Sequence, residues 1–194
     1  MRSISLSLLL AASLFGATQS DAASRMKLGG LTSQPIGHAV FCEQFKGDCA
    51  RISGNQEPQR LTQLRWNDLV DVNNIANVGV EPVTDQEFYG VEEHWTYPRS
   101  YGDCEDYVLL KRYMLIQRGW SAANLLITVV RQANGDGHAV LTVRTSNGDF
   151  VLDNLERDIK RWDKTPYRYV KRTASNHSGR WISIRDSRNQ VARY

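Results

Sequence analysis

Residues 100–120 read SYGDCEDYVLLKRYMLIQRGW, and the parsing of the chain works outward from them. Asp103 is a favoured helix N-cap, Glu105 and Asp106 sit where the dipole favours acids, Arg118 closes the end and Gly119 stops it. The signals predict a helix over about 104–118. Cys104 then stands in its first turn, where unpaired N–H groups and the positive dipole end favour a thiolate. The flanking acids oppose that effect, so a cationic partner is needed to make this sulfur a nucleophile.

N-terminal to this helix, LTQLRWNDLVDVNNIANV (61–78) carries Leu61, Leu64, Leu69, Val72, Ile75 and Ala76 at mostly three- and four-residue steps, the period of an amphipathic helix. Residues 79–103 hold two prolines and three glycines among many polar residues and predict a long loop. Residues 23–60, with Gly29-Gly30, Pro35, Gly54 and Pro58 and no sustained period, predict an irregular arm. C-terminal to the helix, residues 125–130 are aliphatic and β-branched, NGDG (134–137) is turn chemistry, and HAVLTVR (138–144) alternates. TSNGDFVLDN (145–154) adds a hairpin signal and a third strand, and PYRYVKR and RWISIR two more. Helices followed by an antiparallel sheet make an α+β class.

The chain's 194 residues, 41% hydrophobic, suit one domain. Met1-Arg2-Ser3, an apolar run from Ile4 to Ala17 and the small residues around Ser20-Asp21-Ala22 predict a signal peptide over 1–22; a retained N-terminal helix is the alternative. The run falls short of the roughly 20 residues of a membrane span. A net charge of +3 chooses no partner. Of three cysteines, Cys42 and Cys49 flank a turn at Gly47 and are paired in this reading, which leaves Cys104 as the odd thiol of an exported protein. No second close Cys or His pair completes a zinc site.

Of the four histidines, His38 and His177 lie in polar segments and are expected at the surface, while His94 lies in the long loop. His138 opens a strand after a glycine-rich turn, and Asp153 on the next strand can fix its tautomer. Cys104, His138 and Asp153 are therefore the candidate nucleophile, base and orienting acid; a buried cysteine and a strand-end histidine of purely structural value are the alternative. A two-residue turn at Asn147-Gly148 would set Asp153 opposite Thr142, offset from His138 by roughly 13 Å along the strands. A bulge or another register must close that gap.

The pieces VNNIANVGV, FYGVEEHWTYP, GDCEDYVLLKRYMLIQRGW, HAVLTVRTSNGDFVLDN, YRYVKR and RWISI, spread over residues 61–184, resemble the bacterial transglutaminase-like cysteine peptidases (BTLCP), a group that includes LapG-type periplasmic proteases. The resemblance implies a papain-like core with a nucleophile helix packed on an antiparallel sheet. It also implies peptide-bond hydrolysis in the periplasm or outside the cell by Cys104, His138 and Asp153. The oxyanion would be held by the Cys104 N–H and Trp95, the latter otherwise a rim or core aromatic. The resemblance further implies calcium at Asp103 and Glu105, otherwise a helix cap and a solvated acid, with no cofactor needed for the chemistry. The partner is a protein substrate rather than nucleic acid or membrane. Two rival readings remain. The same trio could pass the acyl group to an amine, as a transglutaminase does. Alternatively, eleven Lys or Arg against three acids over 157–193, interleaved with Trp162, Tyr167, Tyr169 and Trp181, could form a non-catalytic binding surface.

Overall fold

A computed structural model describes residues 24–188, so the segment read as a signal peptide lies outside the described residues. In chain order, β1 (Leu28–Thr32) leads into α1 (Ile36–Gln44) and a 3-10 turn (Lys46–Cys49). Then α2 (Gln63–Gly79) passes through β2 (Glu81–Pro82), α3 (Asp85–Phe88) and β3 (Tyr101–Gly102) to α4 (Cys104–Gln117). The C-terminal half is β4 (Leu125–Arg131), β5 (Gly137–Thr145), β6 (Gly148–Leu152), β7 (Lys160–Arg161), β8 (Arg168–Ala174) and β9 (His177–Ile184). Seven strands form one antiparallel sheet in the order β1-β9-β8-β4-β5-β6-β7, giving the α+β class.

Alternation along the strands divides two apolar layers. Leu125 and Ile127 of β4 and Ala139, Leu141 and Val143 of β5 pack with Leu69 and Val72 of α2 and Val108, Leu109 and Leu115 of α4. Val130, Val140 and Val151 point the other way, toward Tyr167 and Tyr169. Lying between sheet, α2 and the N-terminal segment, α4 buries even Arg112, which binds the Leu125 carbonyl (3.2 Å) and Ser178 Oγ (2.9 Å). At its end Gly119 takes φ +77°, the left-handed conformation that terminates helices, and Arg118 reaches Asp68 and Asp71 of α2.

Three expectations are corrected. First, residues 23–60 are not an irregular arm. They supply the edge strand β1 and a helix, and they carry the expected Cys42–Cys49 disulfide. At nine residues, α1 is too short to display a period, and β1, with its Gly-Gly centre, becomes a strand only through pairing with β9. Second, His38 is 1% exposed rather than on the surface, its ring between Trp95 (5.2 Å) and Trp181 (5.3 Å). Third, the β5–β6 turn is Ser146-Asn147, with Thr145 paired to Gly148 and Leu141 to Leu152. Gly148 carries φ +118°, so the glycine follows the turn instead of occupying its second corner.

His38 accepts hydrogen bonds at Nδ1 from Trp181 Nε1 (3.1 Å) and Gln34 Nε2 (2.8 Å), which makes it the neutral imidazole. Burial, with Arg112 second, lowers its pKa to about 4. The unfolded chain protonates this group near pH 6.5, so His38 removes stability as pH falls through 6.5 toward 4. Denaturant titrations of wild type and His38→Gln are expected to show the wild type's advantage shrinking by about 3 kcal/mol over that window. A difference independent of pH would contradict the buried neutral assignment.

Candidate active site

The observed register brings the ends of β5 and β6 together. His138 lies near the start of β5, and Asp153 immediately follows β6. His138 Nε2 meets Asp153 Oδ1 at 2.8 Å, and both residues are buried. A carboxylate only accepts, so Nε2 carries a ring proton, and in the neutral ring Nδ1 is the nitrogen that can act as base. Oδ1 also accepts from Leu155 N (3.0 Å), Oδ2 accepts from the Tyr167 hydroxyl (2.5 Å), and Asn77 of α2 binds the Asp153 carbonyl (2.8 Å). Burial pushes the Asp153 carboxyl up, but the hydrogen bonds and charge of His138, with Tyr167 and Leu155, outweigh it and hold the group below its usual range.

Cys104 opens α4 as expected, half-buried, with Sγ accepting from Ala139 N (3.4 Å), one residue beyond His138. The thiol donates to Glu105 Oε2 (3.1 Å). Burial first, then the Glu105 charge, raise its pKa well above the ordinary value, so the sulfur rests as a thiol. Cys104 and His138 line one open cavity of about 560 Å³, together with Pro35, Glu93, Trp95, Val129 and Lys171. Trp95 stands in this wall, 6% exposed, but its Nε1–H is given to Glu93 Oε2 (2.8 Å). The tight seat of α1 on the indole requires Gly37, where a Cβ would come within 2.4 Å of the Trp95 ring.

Asp103 occupies the N-cap position without capping the helix through its side chain. Instead, oxygens of Asp85, Asp103 and Asp106 lie within 4.8 Å of one another. Asp85 is oriented by the His94 N–H and Asp106 by Thr96 N (2.8 Å). Asp103 Oδ1 and Asp106 Oδ2 are buried without partners. Burial pushes Asp106 up to about 8, with Asp103 and Asp85 adding to the shift, and burial raises Asp103 as well. Three crowded carboxylates with orphaned oxygens form a donor set that fits a hard cation such as calcium. The resemblance pairs Asp103 with Glu105; in the structure the two side chains do share a hydrogen bond, Asp103 is also grouped with Asp85 and Asp106, and Glu105 also accepts from the Cys104 thiol. Glu105 is pushed up to about 9 by burial and, second, by Asp103. Asp85 was absent from the sequence reading, although the Thr84-x-x-Glu87 capping box marks a helix start beside it.

A family model described as bacterial transglutaminase-like cysteine proteinase, BTLCP, matches residues 28–189. The chain belongs to this family. Among solved structures, the calcium-bound LapG of Legionella pneumophila is 22% identical with a TM-score of 0.54, over 69% of this chain and 77% of that one. A second structure of the same organism's LapG is 25% identical with a TM-score of 0.52, over 60% of this chain and 68% of that one. An EGTA-treated form gives 24% and 0.52, over 65% and 74%. Comparison with the curated proteins finds no match. This BTLCP chain therefore has the LapG type of fold and is a cysteine peptidase by family.

The rival reading of the C-terminal segment as a binding surface loses its platforms, because Trp162, Tyr167, Tyr169 and Trp181 are buried in the two layers.

The acid cluster has a measurable signature without metal. A folded-state pKa near 8 for Asp106, against 3.8 unfolded, means that stability is full below about pH 4 and is lost as pH rises toward 8. In chelator, Asp106→Asn is expected to be about 2 kcal/mol or more stabler than wild type at pH 8, with no such gain at pH 4. Urea unfolding at the two pH values measures this, and an equal effect at both would contradict the crowding.

Proposed function

We propose that this BTLCP protein is an exported peptidase that cleaves a peptide bond of a protein substrate with Cys104 as nucleophile, His138 as base and acid, and Asp153 as orienting carboxylate. The observation that carries the reading is the 2.8 Å His138–Asp153 bond at the edge of a cavity that Cys104 also lines. The thiol turns from Glu105 toward His138 Nδ1, which takes its proton, and the sulfur attacks the substrate carbonyl carbon. The imidazolium then returns that proton to the leaving amine as the C–N bond breaks and a thioester remains. Water, deprotonated by the same imidazole, hydrolyses the thioester and frees the thiol. The Cys104 backbone N–H, at a helix start without an intrahelical partner, is the oxyanion donor. Trp95 serves as a second donor only if Glu93 releases its N–H.

Asp85, Asp103 and Asp106 would hold calcium, the ion of the calcium-bound LapG relative. Bound there, the cation supplies positive charge that offsets the crowded carboxylates next to the nucleophile. Export is supported by the pattern of residues 1–22 and by the Cys42–Cys49 disulfide, a bond typical of oxidising compartments.

The test uses protein recovered from expressing cells, whose N-terminus is expected at Ala23. Incubated with a proteome-derived peptide library, wild type should create new N-termini detected by mass spectrometry. Cys104→Ala should create none, and His138→Ala fewer by at least a hundredfold. Chelator is expected to lower the rate and added calcium to restore it. Amidated products exceeding cleavage when a primary amine is added would favour acyl transfer over hydrolysis. Cleavage that survives in Cys104→Ala would refute the assignment.

A further inference from the structure

We infer that Tyr167 is a positioning residue of this site, its hydroxyl anchoring one oxygen of Asp153 so that the other stays aimed at His138. The inference rests on the peptidase reading for its consequence, and on geometry for its content. Asp153 turns its two oxygens to different partners. Oδ1 serves His138 Nε2 at 2.8 Å and Leu155 N at 3.0 Å, and Oδ2 receives the Tyr167 O–H at 2.5 Å. Rotating the carboxylate would therefore break bonds at both ends together. Without the hydroxyl, a buried oxygen loses a charge-assisted donor, and the group is free to turn or to take a proton.

Tyr167 acts from a second direction as well. Its ring lies 5.5 Å from the imidazole of His138 at 55°, forming a wall that restricts the ring's rotation. The tyrosine itself is 6% exposed, and its own carbonyl is held by Arg188 Nη2 at 2.9 Å, just ahead of β8. The segment between β7 and β8 thus fastens a residue that touches both His138 and Asp153. Burial, followed by the Asp153 carboxylate, raises the phenol's pKa, which keeps it a donor at any working pH. A phenylalanine would supply the wall without the anchor, and a shorter alcohol would supply neither.

Tyr167→Phe separates these contributions, since it keeps the ring and deletes the hydroxyl. On a peptide cleaved by wild type, kcat is expected to fall roughly tenfold or more with KM within about twofold, the size of a lost hydrogen bond to a charged group. A parallel readout needs no substrate: in protein labelled with nitrogen-15 histidine, the His138 Nε2 proton should be protected from solvent exchange in wild type. In Tyr167→Phe that proton should exchange at least tenfold faster while the thermal midpoint moves by only a few degrees. Wild-type exchange and kcat in the variant would overturn the inference. A KM increase without a kcat change would also overturn it, as loss of substrate binding. If wild type cleaves no peptide, the peptidase reading fails and the exchange measurement still decides the role of Tyr167.

Discussion

The hydrogen bond from His138 Nε2 to Asp153 Oδ1 exists because β5 and β6 are joined by only two residues, Ser146 and Asn147. In this register Thr145 faces Gly148, and the end of β6 delivers Asp153 to the start of β5. A slip of one residue would send Asp153 to the opposite face of the sheet, and a slip of two would set it opposite Thr142. Local bonds hold the turn in place: Thr145 Oγ1 donates to the Gly148 carbonyl at 2.8 Å and accepts from Asn147 N at 3.1 Å. Asp149 is caught from outside by Met26 N at 3.0 Å, so the N-terminal segment also fixes the hairpin. The apolar layers then bring α4 and its sulfur to the Ala139 N–H.

Electrostatics at the helix start work against the proposed nucleophile. The dipole favours a thiolate, but burial, Glu105 and, less strongly, Asp103 favour the thiol. Lys111, a buried cation of the same helix, lies against the Tyr107 ring at 5.7 Å, and its pKa is lowered to about 7 by burial, partly opposed by Asp153. In the proposed mechanism the charge that offsets the sulfur's is an imidazolium at His138, held by Asp153. Such a site is quiet at rest and becomes nucleophilic when the thiol reaches the imidazole.

The parts of the fold with strong local signals were readable from the residues. Caps and stop signals located α4 to within one residue at its end, an aliphatic β-branched run located β4, and alternation located β5. The three candidate site residues could be named from the residues because a thiol falls at a helix start, a histidine opens a strand after a glycine turn and a carboxylate lies on the next strand. What stayed hidden depends on tertiary contact. Strand β1 has no pattern of its own and exists through β9, and His38 looks polar yet fills a hole between two tryptophans. Tyr167 read as one of several aromatics in a basic segment, since nothing local marks a hydroxyl that will meet a carboxylate fourteen residues earlier. The turn was misplaced by one position because Asn-Gly is the commoner hairpin pair, whereas here the glycine follows it.

The most direct measurement is the rate at which iodoacetamide alkylates Cys104 between pH 4 and 10, in wild type and in His138→Ala, both in chelator and in calcium. If His138 delivers the proton-accepting nitrogen to this sulfur, wild type should show a reactive limb at or below neutral pH that the variant lacks, with the variant reacting only at alkaline pH. Identical profiles, each rising only above the usual thiol pKa, would mean that the imidazole never reaches the sulfur and that the site is not a catalytic one.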